Sequence, residues 1–238
     1  MRASDPQVVR GLQLFADMED EHFRSLMNAA LLQNFPPHVL LVREGELPDF
    51  LYVLVDGAVE IFGSHANRET VIQVIVPPAT FIVVPVIREE VPLISARTLV
   101  NSRVLMIPAD AVRDIFGRDS GFARAIVKEL ALRYRDLVRA LKNQKLRTGA
   151  ERLANWIVQT DAQSGSTGHL ILPLEKRLLA SLLGMTPENL SRTFAVLASH
   201  GVMIKDQAIL ITDRKKLQRL AQPDPLIEEL PPDFDPLT

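Results

Sequence analysis

The chain has 238 residues, 47% of them hydrophobic and 24% charged, the make-up of a globular protein long enough for one large or two modest cores. It has no cysteine, which excludes disulfides, thiolate zinc sites, cysteine-ligated iron–sulfur clusters and a cysteine nucleophile. The net charge of −2 hides unequal parts: residues 147–221 carry 10 Lys+Arg against 6 Asp+Glu, whereas residues 222–238 carry five acids and no base.

A positive segment inside a neutral chain points to a polyanionic partner, although an uneven surface alone would give the same count. No basic-then-apolar leader opens the sequence and no apolar run is long enough to span a bilayer, so a cytoplasmic protein without a membrane partner is expected.

In chain order, residues 17–32 read as a short amphipathic helix, with Asp17 as its cap and Phe23, Leu26 and Met27 on one side. From Phe35 to Pro108 the pattern changes to short β-branched or apolar runs at 39–42, 50–55, 58–62, 70–76, 81–86, 94–100 and 103–107. They are punctuated by Gly45, Pro48, Asp56, Gly57, Ala66, Asn67, Pro77, Pro78, Pro92 and Asn101. Asp56-Gly57 between two such runs is a hairpin signal, because both residues tolerate positive φ. Many short strands at regular spacing predict a small β-barrel or sandwich.

After Pro108 the period becomes helical. A short helix is predicted at 109–116, stopped by Gly117, and a long one at about 120–145. On the long helix Ala123, Val127, Leu130, Tyr134, Leu137 and Leu141 alternate in steps of four and three, the spacing of a coiled-coil seam. The same stripe could pack on the barrel of its own chain. Its persistence along the helix, with charges on the other faces, favours a two-fold dimer.

A helix at 149–160 follows, then a Ser/Gly-rich loop at 164–168 and a short strand at 169–172. Helices at 174–183 and 187–199 come next, then two strands around a turn at Asp206 and Gln207. Residues 222–238 hold five prolines and only acidic charges, and such a segment is expected to be disordered. The reading is an α+β chain: a barrel sensor domain over 1–118, a dimerisation helix over 119–146, a winged helix-turn-helix over 147–221, and the tail.

The most informative segment is 178–201. Ala180 is small where two helices approach, Gly184 supplies a tight turn, and Leu190 packs back against the first helix; this is helix-turn-helix spacing. Thr186 is a good N-cap and Pro187 suits the first helical position. Gly201 is a normal stop. The exposed positions at the start of the second helix include Glu188, Asn189, Ser191 and Arg192, where a recognition helix meets base edges. Arg192 can pair with guanine O6 and N7, and Glu188 can accept from cytosine N4. These two are also four apart and would make an ordinary intrahelical ion pair. Thr186 belongs to the same surface, and Lys176, Arg177, Lys205 and Lys215 are candidates for phosphate contact.

The order helix, β-barrel, long helix, winged helix-turn-helix resembles the CRP/FNR family of bacterial transcription regulators over about residues 12–221. Gly-Ala-Glu-Arg-Leu-Ala at 149–154, Leu-Gly-Met-Thr-Pro-Glu-Asn-Leu-Ser-Arg at 183–192 and Ser-His-Gly-Val at 199–202 carry the resemblance. It implies a sequence-specific DNA-binding regulator, acting as a homodimer on an inverted-repeat operator, with RNA polymerase as a further partner. In the branch resembling the fumarate and nitrate reduction regulator, a Glu-x-x-Ser-Arg pattern reads TTGA-type half-sites, and Glu188, Ser191 and Arg192 match it.

The barrel departs from the family. Members that bind cyclic nucleotides carry Phe-Gly-Glu-Leu and later Arg-Ser or Arg-Thr before Ala. The glycine admits the phosphate to backbone amides, the glutamate holds the ribose and the arginine neutralises the phosphate. Here the two pieces are Phe81-Ile82-Val83-Val84 and Ile94-Ser95-Ala96, so a cyclic nucleotide is not expected. Arg97 is a strand neighbour of the lost position and faces the opposite side. What is left is an apolar pocket around Phe81, Val83, Val84, Leu93, Ile94, Ile126 and Leu130, open to haem, an apolar effector or none. Only His38 and His65 lie in the barrel region, and neither carries a haem signature. They also lack the clustered ligands of a metal-dependent barrel enzyme, so neither catalysis nor a metal site is expected. A dimerisation or regulatory module without DNA binding is the other alternative, but it would not need a capped reading helix.

Overall fold

The computed structural model describes residues 5–66, 68–171, 175–205 and 208–228. The chain divides into two compact units, Met1–Arg133 and Tyr134–Thr238. The division falls inside the long helix, whereas the sequence suggested boundaries at that helix's two ends.

Three short helices, α1 (Asp5–Arg10), α2 (Gln13–Ala16) and α3 (Asp20–Ala29), open the first unit. Helix α3 begins three residues later than expected. Asp17 instead closes α2 as its C-cap, and Gly121 lies so near the Asp17 carbonyl that a Cβ there would collide with it. Phe23, Leu26 and Met27 are buried on one side of α3 as its periodicity requires. The end of the predicted helix is instead strand β1 (Leu31–Phe35), paired antiparallel with a later strand from Leu31 opposite Met106 to Phe35 opposite Ser102.

The strands that follow are β2 (Leu40–Val42), β3 (Phe50–Asp56), β4 (Val59–His65), β5 (Arg68–Ile75), β6 (Ala79–Phe81), β7 (Ser95–Thr98) and β8 (Ser102–Pro108), with a helix, α4 (Val83–Arg88), between β6 and β7. They form two four-stranded antiparallel sheets, ordered β1-β8-β3-β6 and β2-β7-β4-β5. Leu51, Leu54 and Val104 of the first sheet and Val59, Ile61 and Ala96 of the second share one core. Each such Leu, Ile or Val side chain stabilises by roughly 1.5–3 kcal/mol when fully buried. Asp56-Gly57 makes a turn but not the expected hairpin: β3 pairs with β6 and β8 and β4 with β5 and β7. The turn therefore passes the chain from one sheet to the other, with Gly57 at φ 97° where a Cβ would run into Ser102.

The run 81–86 is not a strand. Only Phe81 belongs to β6; Ile82 turns left-handed at φ 66° and α4 begins at Val83. Pro85 explains the difference, since it cannot donate to a strand ladder but is tolerated in the first helical turn. Helix α5 (Ala109–Arg118) also runs past Gly117. It ends at Asp119, whose amide bonds Ile115 O at 2.8 Å and whose carboxylate accepts from Phe122 N at 2.8 Å, in the first turn of α6 (Ser120–Leu146).

The second unit holds α7 (Gly149–Gln163), β9 (His169–Ile171), α8 (Lys176–Leu182), α9 (Pro187–Ala198), β10 (Val202–Lys205), β11 (Ala208–Ile211) and α10 (Arg214–Ala221). Helix α7 opens with a capping box in which Thr148 N donates to Glu151 at 2.6 Å and Glu151 N to Thr148 Oγ1 at 3.3 Å. The three strands form a sheet ordered β10-β11-β9. Leu172, residue 174 and the Asp206-Gln207 turn lie outside the described residues. Helix α10 was not expected from the sequence; Asp213 caps it through Lys216 N at 3.0 Å, and Leu217 and Ala221 are buried.

The tail reading needs correction at its start. Residues 222–228 are folded: Ile227 N and Glu228 N both bond Asp224 O at 2.8 Å, and Glu228 is 4% exposed. Composition does not show this because the buried side chain of one arginine, Arg147, receives the acid. The remainder, 229–238, lies outside the described residues.

Candidate nucleic-acid interface

Helices α8 and α9 meet as the 178–201 motif requires. Leu179 and Ala180 are fully buried, Leu190 is 1% exposed, and Gly184 takes φ 62° in the turn. Met185 N closes that turn on Ala180 O at 2.9 Å. Thr186 Oγ1 accepts from Asn189 N at 3.2 Å with Pro187 as the first helical residue, so α9 starts sharply. Its inner face is Leu190, Phe194 and Leu197.

The outer edge carries Thr186, Pro187, Glu188, Asn189, Ser191 and Arg192, all exposed. Ser191 Oγ donates to Pro187 O at 3.0 Å, so its hydroxyl lies along the helix. The Glu188 carboxyl is held below the usual carboxylate range by its own backbone amide, then by the Thr186 hydroxyl, with Arg192 the last and weakest of the three. It is thus turned back on the first turn of α9 rather than committed to an ion pair with Arg192. Arg192 lines an open groove with Gly149, Arg152, Met185, Asn189 and Thr193. Lys176 and Arg177 are exposed at the start of α8, Lys205 at the end of β10 and Lys215 on α10.

Arg152 lines the same groove without being among the residues the sequence singles out for the site. Its Nε donates to Leu183 O at 2.8 Å and its Nη1 to Arg147 O at 2.6 Å, fastening α7 to the residue before the Gly184 turn. The 149–154 motif was the available signal.

In the first unit, the residues expected around a barrel pocket separate. Phe81, Val83 and Ile126 are buried in the core and Ile94 is half-buried. Val84, Leu93 and Leu130 are exposed, Leu93 at 82%, because α4 turns Val84 outward and Leu93 falls in the loop before β7. Ile82 is 7% exposed and holds a left-handed conformation at φ 66°. Arg97 forms ion pairs with Glu60 and with Glu69, the latter at 3.0 Å, and lies over the Phe62 ring at 4.2 Å. Burial pulls the Arg97 guanidinium down, and Glu60 with Glu69 outweighs it and raises it. His38 and His65 are exposed. Among the described residues no cluster of three His, Asp or Glu could hold a metal ion, and no helix is long and apolar enough to cross a membrane.

On α6, Val127, Leu130, Tyr134, Leu137 and Leu141 are 36–69% exposed, and Ala123 is half-buried. The apolar stripe is therefore not spent on the core of its own chain.

Residues 151–220 match the Crp-like helix-turn-helix domain and residues 32–119 the cyclic nucleotide-binding domain. A CRP-like cAMP-activated global transcriptional regulator of Mycobacterium tuberculosis is 24% identical over 216 residues, covering 88% of this chain and 96% of that one. A candidate cAMP-binding regulatory protein of Silicibacter pomeroyi is 26% identical with a TM-score of 0.58, covering 92% and 99% of the two chains. A candidate Crp/Fnr-family regulator of Eubacterium rectale superposes with a TM-score of 0.73 at 16% identity, covering 89% and 99%. The helix-turn-helix with these domains defines a DNA-binding transcription regulator. The chain thus carries a cyclic nucleotide-binding domain followed by a Crp-like helix-turn-helix domain.

Proposed function

We propose that the protein binds, as a homodimer, an inverted-repeat operator with TTGA-like half-sites, and that its barrel does not answer to a cyclic nucleotide. The observation that carries this is the outer edge of α9, where Glu188, Asn189, Ser191 and Arg192 are exposed together on a helix capped at Thr186. Polar side chains in the first turns of such a helix reach base edges in the major groove. Arg192 pairs with the guanine of each half-site and Glu188 with a cytosine on the complementary strand, leaving its hold on the helix terminus to do so. Lys176, Arg177, Lys205 and Lys215 contact phosphates and position the unit without reading sequence. The exposed stripe on α6 supports the two-fold dimer, since a heptad stripe buries best against its own copy. RNA polymerase is the further partner that the likeness to CRP-like regulators suggests.

Two of the relatives are described as cAMP-activated or cAMP-binding, but the residues here do not fit that ligand. Ile82 puts a branched side chain where the family's glycine admits a phosphate, Ile94 stands at the arginine position, and Arg97 is engaged by Glu60 and Glu69. A phosphate placed there would lie uncompensated against aliphatic groups. Haem fits no better: His38 and His65 are exposed, and His22 is held by Asp119 at 2.9 Å.

The test is selection from random duplex DNA with wild type and Arg192→Ala side by side. Wild type should recover paired TTGA-like half-sites about one helical turn apart. The variant should lose preference at the guanine, at roughly 1–3 kcal/mol per half-site. Recovery of the same consensus at the same strength by both removes Arg192 from the reading role.

A further inference from the structure

We infer that Glu228 is a positioning residue for the reading helix, through a strap formed by residues 222–228. The inference rests on the proposed operator-binding dimer for its consequence, and on the second unit alone for its geometry.

Helix α6 ends at Leu146 and α7 begins at Gly149, so the junction is two residues, Arg147 and Thr148. Thr148 is spent on the capping box of α7. The Arg147 side chain is 6% exposed, and its guanidinium takes the carboxylate of Glu228, whose side chain is 2% exposed. The same guanidinium donates to Gln222 O at 2.9 Å and to Asn143 Oδ1 on α6 at 3.4 Å. Glu228 Oε2 also accepts from Asp224 N at 2.7 Å, and Lys142 Nζ donates to Leu226 O at 3.3 Å. The segment thus leaves α10 and closes over the last turn of α6, tied at both ends and in the middle.

The backbone of Arg147 faces the other way. Its carbonyl accepts from Arg152, whose second arm holds Leu183 O, the residue before the Gly184 turn that leads into α9. One line of polar contacts therefore runs Glu228, Arg147, Arg152, Leu183, α9. Two charges this deeply buried persist as a pair; removing one orphans the other. With the strap closed, the junction has little freedom to turn α9 relative to the end of α6. In the dimer, that angle sets the separation of the two reading helices.

The experiment compares full-length wild type, Glu228→Gln, and Arg147→Gln/Glu228→Ala. The double variant leaves no orphan charge and keeps the test open if the single one does not fold. Each is titrated with duplexes carrying TTGA and inverted TCAA half-sites at the selected spacing and with one base pair inserted. Hydrogen–deuterium exchange at amides 147–150 is measured without DNA. Both variants should exchange faster there and lose about tenfold of the discrimination between spacings, 1.4 kcal/mol, with half-site sequence preference kept. A merely structural role would lower affinity for both spacings alike. Unchanged exchange, or unchanged spacing discrimination in a wild type that binds, overturns the inference. Failure of wild type to bind either duplex overturns the proposed operator instead, and the exchange measurement then decides the strap.

Discussion

His22 Nδ1 lies 2.9 Å from Asp119 Oδ2, joining α3 to the start of α6. The same oxygen accepts from Glu19 N at 2.9 Å, and the other from Phe122 N. Burial alone would push the Asp119 carboxyl up; the amides of Phe122 and Glu19 and then His22 outweigh it and hold it below the usual range. A carboxyl depressed in the folded state contributes stability that is complete above the ordinary aspartate value of about 4 and is lost as pH falls through its lowered value. Asp119→Ala should cost about 1–3 kcal/mol at pH 7, and Asp119→Asn should flatten the acid limb of stability. Denaturant titrations of wild type and Asp119→Asn from pH 7 to 3 check this; parallel curves would remove Asp119 from the acid response.

Ile82 gives a second test, because its backbone and side chain pull in opposite directions. A branched residue at φ 66° bears roughly 1–2 kcal/mol of strain that glycine does not, while its 7% exposure means real apolar burial is lost on truncation. Ile82→Ala should therefore be more destabilising than Ile82→Gly, although alanine keeps more of the side chain. The difference should be about 1 kcal/mol, read from unfolding midpoints. Neither variant should bind cAMP in a calorimetric titration, since Ile94 still offers no charge.

Much of this architecture was legible in the sequence, and the failures have identifiable causes. Ala180, Gly184 and Leu190 announced the turn because spacing and conformational need coincide there. The strand reading of 81–86 failed because β-branched composition outweighed Pro85, the one residue that cannot donate to a ladder. Gly117 has the composition of a stop, but Asp119 supplies the cap that ends α5 and begins α6. Helix α10 carries only Leu217 and Ala221 as buried positions among basic residues, too weak a period to stand out. The strap was invisible because its anchor, Arg147, is 81 residues away in sequence. On the DNA side, exposure could be read from periodicity, whereas the return of Glu228 to Arg147 depends on tertiary packing alone.

The stripe on α6 makes a prediction about assembly. Leu137 is 62% exposed and Leu130 36% in the single chain, so charging them should disturb an interface far more than a core. Leu130→Glu/Leu137→Glu should sediment as a folded monomer. Losing the second half-site should cut operator affinity by about 10²–10⁴-fold. A dimer surviving the double substitution would place the interface elsewhere.

Salt dependence separates the residues that read sequence from those that only hold the duplex. Each phosphate neutralised releases counterions, so the slope of log K against log salt is about −0.9 per contact. Lys205, exposed at the end of β10, and Lys215, exposed on α10, offer ammonium groups without the planar fork that base edges reward. Lys205→Ala removes one contact per subunit, so the slope for a dimer should become shallower by about two, with selected and random duplexes weakened alike. Lys215→Ala should behave in the same way. Arg192→Ala should instead weaken the selected duplex most and leave random-sequence affinity nearly unchanged, because base contacts contribute little to non-specific binding. Titrations of each variant on both duplexes at several salt concentrations give slope and specificity ratio together. A Lys205 variant that narrows the specificity ratio while keeping the wild-type slope would move that residue from phosphate to base, and the wing strand β10 with it.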